Sequence, residues 1–335
     1  MRLRRLCAVA VLALFVPVPA PANAVETTCQ DVQTPVSSGL AQQTMYGKLC
    51  VPRGATTVQV LVPGATYTSA YWDIPLDPEV RSVRLAMNHA GIATMAVDRI
   101  GTGRSTRPLS ALVTVPSQAD AVHKVVQRMR SQFQKVLIGG HSLGSVIAIA
   151  EAATYRDVDG VLVTGMTNQW DYLKALPAIA GSIPVTLDPQ LSKLGLDPGY
   201  LTTAPGSRYT SFHKPGALNP AVVAYDESTK DVFAAGELVT TPLMVNLVIP
   251  ASRAITVPVM SVQTPSDYFC GTPPLGSDCS SSEALAASER PFYAQAPRVD
   301  AFVLTGYGHC FNFAPDSTRY HDAVVAWQRH ATRSS

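Results

Sequence analysis

A serine framed by glycines, Gly140-His141-Ser142-Leu143-Gly144, is the stretch of this chain whose chemistry is easiest to name. An apolar run, Lys135-Val136-Leu137-Ile138-Gly139, precedes it, and a small-residue segment, Val146-Ile147-Ala148-Ile149-Ala150, follows. That order reads as a buried strand, a sharp turn and a tightly packed helix, the setting in which G-x-S-x-G presents a nucleophile. A serine at such a turn projects its hydroxyl above the sheet edge, and the cramped backbone leaves little room for side chains two residues either side. The N–H of Leu143, at the start of the helix, points where an oxyanion would form, helped by the positive helix end.

Serine alone is a poor nucleophile at neutral pH, so the chain must supply a base and an acid to orient it. Seven histidines are present. His309 stands out because Thr305-Gly306-Tyr307-Gly308-His309 follows the last apolar strand and sets the imidazole on a loop at the sheet edge. His141 lies inside the turn and should face away. His89, His123 and His321 fall on helical patterns and read as surface or packing residues, His330 sits in the tail, and His213 lies in the segment 168–253, where contact with substrate is the minor reading. For the acid, Asp267 lies just past the strand Val257–Val262, where a carboxylate reaches the next loop and fixes the imidazole tautomer. Asp226 and Asp231 are weaker candidates, because they lie in a segment with no evident reason for rigid placement. Asp300 precedes its strand, at the wrong end of the sheet.

The elements that must hold these residues alternate as in an α/β sheet. Strands are expected over Thr57–Val62, Ile92–Val97, Lys135–Gly139, Asp159–Met166, Val257–Val262 and Ala301–Leu304. Apolar residues at Ala119, Val122, Val125, Val126, Met129 and Phe133 mark one face of a helix over 117–133, with Ser117 and Asp120 as a capping box. A closing helix puts Tyr320, Ala323, Val324 and Trp327 on one face. Residues 168–253 break this rhythm. They carry seven prolines between Pro177 and Pro220, and some 85 residues between strands far exceeds an ordinary crossover. They read as an inserted cap over the carboxyl edge of the sheet.

The first 24 residues read as a cleavable leader: Arg2, Arg4 and Arg5, an apolar core from Leu6 to Val16, and Ala22-Asn23-Ala24 as cleavage site, with the cut after Ala24. No later run is long enough for a transmembrane helix, so secretion is expected. Without those three arginines, 23 basic residues stand against 24 acidic, and the net charge falls from +2 to about −1. That balance argues against a nucleic-acid partner. About 310 remaining residues, at 47% hydrophobic composition over the chain, bury a large core. In an oxidising compartment Cys29 with Cys50 and Cys270 with Cys279 read as disulfides, the first stabilising by about 3 kcal/mol through loop-closure entropy. Cys310 is left over, as a buried thiol acting as a small hydrophobe.

Taken together, the Ser142 turn, His309, Asp267 and two further motifs resemble the α/β-hydrolase superfamily across nearly all of the mature chain. Val62-Pro63-Gly64-Ala65-Thr66 resembles the oxyanion loop usually written His-Gly-x, with proline in place of histidine. Ala65 is the first choice of second donor and Thr66 the alternative. Asp98-Arg99-Ile100-Gly101-Thr102-Gly103-Arg104-Ser105 resembles the family's D-x-x-G-x-G-x-S turn. Gly101 and Gly103 lack the Gly-Lys-Ser/Thr ending of a phosphate loop. The resemblance implies an α/β-hydrolase fold with a mostly parallel central sheet, flanking helices and a helical cap. The core then spans 25–167 and 254–335, and the cap 168–253.

It also implies a secreted serine hydrolase of the esterase or lipase type, acting on small-molecule esters with apolar acyl or alcohol groups and needing no cofactor. Ser142 is the nucleophile, His309 the base, Asp267 the orienting acid, and Leu143 and Ala65 the oxyanion donors. Thr66, Tyr67, Trp170, Tyr209 and Phe212 are candidate substrate contacts. Relatives with an aspartate nucleophile are excluded by Ser142, and no H-E-x-x-H or clustered His/Cys spacing suggests a metal site. Acyl transfer to an alcohol would use the same triad, and a non-catalytic binding module on this fold would need none of it.

Overall fold

The computed structural model describes residues 26–38, 41–245 and 250–332; the leader expected over 1–24 lies outside them. The strands are β1 (Thr27–Ser38), β2 (Ala41–Pro52), β3 (Thr57–Val62), β4 (Ala93–Val97), β5 (Lys135–His141) and β6 (Gly160–Thr164), the short β7 (Ser182–Pro184), β8 (Tyr200–Thr203) and β9 (Phe233–Ala234), then β10 (Val259–Gln263) and β11 (Val299–Val303). The longer helices are α1 (Val83–His89), α2 (Val115–Arg130), α3 (Leu143–Tyr155), α4 (Tyr172–Ala180), α5 (Pro220–Ser228), α6 (Ala235–Val245), α7 (Ser282–Glu289) and α8 (Thr318–Ala331).

Eight strands make one sheet in the order β1-β2-β4-β3-β5-β6-β10-β11. From β4 to β11 neighbours run parallel, while β2 is antiparallel to both β1 and β4. Parallel strands are covered on both faces, so their sequences read as continuous apolar runs. Alternate residues serve the two layers. Val58, Val60, Val136, Ile138, Val161 and Val163 pack with Val122, Val126 and Ile147 of α2 and α3. Leu61, Leu137 and Leu162 pack on the other face with Met87 of α1 and Tyr320, Val324 and Trp327 of α8.

Three local expectations change. The helix α2 starts two residues early: Thr114 is its N-cap, exchanging hydrogen bonds with Ser117, and Pro116 fits the first turn where no N–H is needed. The 12-residue strands β1 and β2 form a hairpin that periodicity did not mark. Cys29 and Cys50 sit directly opposite each other across it and are bonded, as are Cys270 and Cys279. Third, the segment between β6 and β10 is not purely helical; besides α4, α5 and α6 it builds an antiparallel sheet, β7-β8-β9. Among the described residues no helix is long and apolar enough to cross a membrane.

Two buried histidines make the fold acid-sensitive. Neither ring nitrogen of His321, on α8, has a hydrogen-bond partner, and burial pushes its pKa down to about 3. His141 is fully buried; burial, and then the neighbouring His309, holds it well below the usual imidazole range. Unfolding lets both titrate normally, so below about pH 6.5 the unfolded chain binds protons that the folded chain refuses. Stability is fully present above that pH and is lost on acidification, by up to about 1.4 kcal/mol per pH unit per histidine. Thermal melts should therefore show Tm falling between pH 7 and pH 5, and His321→Phe should flatten that fall. A Tm independent of pH in this window would contradict the argument.

Candidate active site

Ser142 sits between β5 and α3 with φ 53° and ψ −121°, a positive-φ conformation that costs a non-glycine residue on the order of 1–3 kcal/mol. Its surroundings enforce that shape. A Cβ on Gly140 would lie 2.1 Å from the Gly144 backbone, and one on Gly144 would lie 2.1 Å from Val62 O, so β5, α3 and the end of β3 meet at contact distance. The Ser145 hydroxyl donates to Gly140 O at 2.8 Å and accepts from Thr164 N at 3.0 Å, and Ser142 N donates to Thr164 O at 2.8 Å. The turn is thus braced by β6.

Asp267 follows β10 and is buried. One oxygen accepts from Phe269 N at 2.9 Å, and the other lies 2.8 Å from His309 Nδ1. Three ties fix the pair. Thr264 Oγ1 donates to Tyr307 O at 2.6 Å, joining the acid and histidine loops. The Cys270–Cys279 bond closes the chain just beyond Asp267. Gly308 N and Cys310 N donate to His213 O and Phe212 O, both at 3.0 Å, so the segment 168–253 holds the histidine loop from above.

Tyr268 touches both sides of the constellation. Its ring lies 4.5 Å from that of His309, and its phenol is within hydrogen-bond reach of the Ser142 hydroxyl. Burial raises its pKa well above the ordinary tyrosine range, so it stays a neutral phenol. No direct Ser142–His309 hydrogen bond is formed in this geometry, and such bonds commonly tighten only with substrate. Sequence reasoning missed Tyr268, for an aromatic beside an aspartate carries no distinguishing signal.

The loop Pro63–Tyr67, expected to supply an oxyanion donor, turns at Ala65 and Thr66, closed by Tyr67 N donating to Gly64 O at 3.2 Å. Thr66 has φ 62°, an outlier for a β-branched residue. Arg208 Nη1 donates to Thr66 Oγ1 at 3.0 Å, and Asp231 N to Thr66 O at 2.9 Å, which hold it there. The N–H of Leu143, first residue of α3, has no acceptor within the helix.

Ala65, Thr66 and Leu143 open on a cavity of about 310 Å³. Val146, Met166, Trp170, Phe212, Phe233 and Phe269 are among the apolar side chains of its wall. Of the five candidate substrate contacts, Thr66, Trp170 and Phe212 line it. Tyr67 and Tyr209 do not, and the reason is local. Tyr67 is buried beneath Arg208 and donates to Cys310 Sγ at 3.1 Å, while Tyr209 turns to Gly216 O at 3.1 Å.

Three further residues differ from their sequence reading. Cys310 is free and buried, but it is more than an apolar filler: it accepts from Tyr67 and lies 3.6 Å from His141 Nε2. His213 does not face the cavity; it is clasped by Tyr307 at 2.7 Å and Asp226 at 2.8 Å. Asp226 is rigidly placed after all, fully buried and paired also with Arg208 at 2.8 Å. The Asp98–Ser105 turn is structural: Asp98 accepts from Ser69 N at 2.7 Å and Arg104 N at 2.9 Å, and a Cβ on Gly103 would strike its carboxylate.

A parallel sheet with a strained Ser142 turn at its carboxyl edge defines the class. A model of the alpha/beta hydrolase family matches residues 59–321, and the chain belongs to that family. No curated protein sequence matches it. Among solved structures, it is similar to a highly thermostable carboxyl esterase from Bacillus coagulans, at 17% identity and TM-score 0.61 over 90% of this chain and 98% of that one. A thermophilic esterase from Thermogutta terrifontis gives 16% identity and TM-score 0.56 over 90% and 99%. An N-acyl homoserine lactonase complexed with N-hexanoyl homoserine gives 14% identity and TM-score 0.61 over 92% and 99%. At such identities the likeness is one of fold.

Proposed function

We propose that this chain is a secreted serine hydrolase of carboxylic esters, with Ser142 as nucleophile, His309 as general base and acid, and Asp267 orienting the imidazole. The observation that carries the reading is the buried Asp267–His309 pair, 2.8 Å apart, together with a serine held at positive φ, where the adjoining residues Leu143 and Tyr268 line an apolar cavity. Esterase and lactonase neighbours support the same substrate class, since a lactone is a cyclic ester. The two disulfides and the lack of a membrane-spanning helix among the described residues fit secretion.

The steps follow from the geometry. With Nδ1–H held by Asp267, His309 Nε2 is the nitrogen free to take the Ser142 proton as Oγ attacks the acyl carbon. The carbonyl π electrons move to oxygen, and the Leu143 and Ala65 N–H groups stabilise that oxyanion. The C–O bond to the alcohol breaks as His309 returns its proton to the leaving oxygen. Water then repeats the sequence on the acyl-enzyme and frees Ser142. An alcohol entering in place of water would give acyl transfer, which product analysis with a competing alcohol distinguishes.

We assign residues 168–253 as a cap that roofs the cavity and selects the acyl group. At roughly 30 Å³ per water-sized unit, about 310 Å³ holds about ten heavy atoms, which points to medium-length apolar acyl chains. On a panel of p-nitrophenyl esters, Phe212→Ala or Trp170→Ala should shift chain-length preference by roughly 1–3 kcal/mol, while Tyr209→Ala should leave it unchanged. Active-site probe labelling of Ser142 should survive in all three. Unchanged preference in both cavity variants would remove selection from the cap.

A further inference from the structure

A second cluster of potential ligands lies at the other end of α3, about 14 Å along the helix from Ser142. His123 on α2, Glu151 on α3 and Asp157 just past α3 converge there, with one ligand atom from each lying within 4.8 Å of the other two. Glu151 is fully buried, and neither of its carboxylate oxygens finds a hydrogen-bond donor; His123 Nδ1 and one Asp157 oxygen are likewise unsatisfied. A buried, unpaired carboxylate needs a counter-charge or a proton.

From this arrangement we propose that His123 Nδ1, Glu151 and Asp157 form a binding site for one divalent zinc-class metal ion. The spacing suits it. His123 Nδ1 lies 3.5 Å from Glu151 Oε1 and 3.0 Å from Asp157 Oδ2, against an edge of about 3.3 Å for a tetrahedron with metal–ligand bonds of 2.0–2.1 Å. One imidazole and two carboxylates favour zinc over calcium or magnesium, which take oxygen ligands in larger number. Water completes the fourth position, for His123 and Asp157 are partly exposed.

The surroundings preset the ligands. The imidazole of His123 stacks on Tyr155, ring centroids 3.6 Å apart, and Tyr155 donates to Asp120 at 2.6 Å. Gln127, one turn beyond His123, donates to Asp157. Arg156 takes φ 51° at the end of α3, which swings Asp157 back over the helix. A cation there also meets the negative end of the α3 dipole. The ligands come from separate helices, which is why no motif in the sequence announced them.

The test is a thermal melt of the full mature chain, stripped with chelator, with and without zinc chloride, beside metal analysis after desalting. One zinc per chain and a Tm rise of about 5 °C at a hundredfold excess over Kd are expected, with no rise from magnesium. His123→Ala and Asp157→Asn should each abolish the rise while leaving zinc-free ester turnover unchanged. Glu151→Gln, which keeps the buried shape, should do the same. The absence of a zinc-dependent rise overturns the proposal. So does a rise that persists in His123→Ala and Asp157→Asn, or zinc uptake that only inhibits turnover, which would place the ion at His309 and Cys310.

Discussion

Replacing Ser142 with alanine is expected to abolish labelling by a fluorophosphonate probe and to lower ester turnover by on the order of 10⁴-fold or more. The hydroxyl is what the turn exists to present. Alanine keeps the Cβ and therefore the strained φ of 53°, so the fold and the oxyanion donors stay in place and only the bond-forming oxygen is lost. Ser142→Gly separates strain from chemistry. It removes the same oxygen but relieves the positive-φ backbone, and should melt higher than the alanine variant while remaining as inactive. Labelling that persists in either variant would move the nucleophile away from Ser142.

Much of this site was legible because it depends on local order. Glycines at 140 and 144 announce a turn that tolerates no side chains, and the position of Asp267 and His309 after late strands follows from how a parallel sheet delivers its loops to one edge. The strands themselves were readable because burial on both faces makes them uninterrupted apolar runs. The hairpin was not, since Thr27–Val36 buries only Val32, Thr34 and Val36 among polar residues and contains Pro35. The small sheet β7-β8-β9 was hidden because its strands are only two to four residues long. Least legible were contacts made across the chain. Arg208 meets Thr66 from 142 positions away, and nothing in either segment marks the other. Tyr67, adjacent to Ala65 and Thr66, looked like a substrate contact but turns inward to Cys310, a direction only tertiary packing decides.

Two buried His–Asp pairs lie among the described residues, and exchanging each aspartate for asparagine should separate them. Asp267→Asn preserves shape but offers His309 Nδ1 an amide in place of a carboxylate. The imidazole then loses its fixed tautomer and the counter-charge for the imidazolium, so kcat should fall by on the order of 10⁴-fold with the fold intact. Asp226→Asn acts on the other pair. Burial alone would raise the Asp226 pKa, but Arg208 and His213 outweigh it and hold the carboxyl below its ordinary value. It is therefore charged at pH 7, and its stabilisation is present above about pH 3.9 and lost as pH falls further. Removing that charge leaves the fully buried Arg208 without its counter-ion, at a cost on the order of 3–5 kcal/mol in stability. Because Arg208 also holds Thr66, some turnover should be lost, but far less than for Asp267. The two variants thus predict opposite rankings: Asp267→Asn worst in kcat, Asp226→Asn worst in Tm. If Asp226→Asn instead removed activity while melting normally, and Asp267→Asn remained active, the catalytic acid would lie in the cap and His213 would replace His309 as the base.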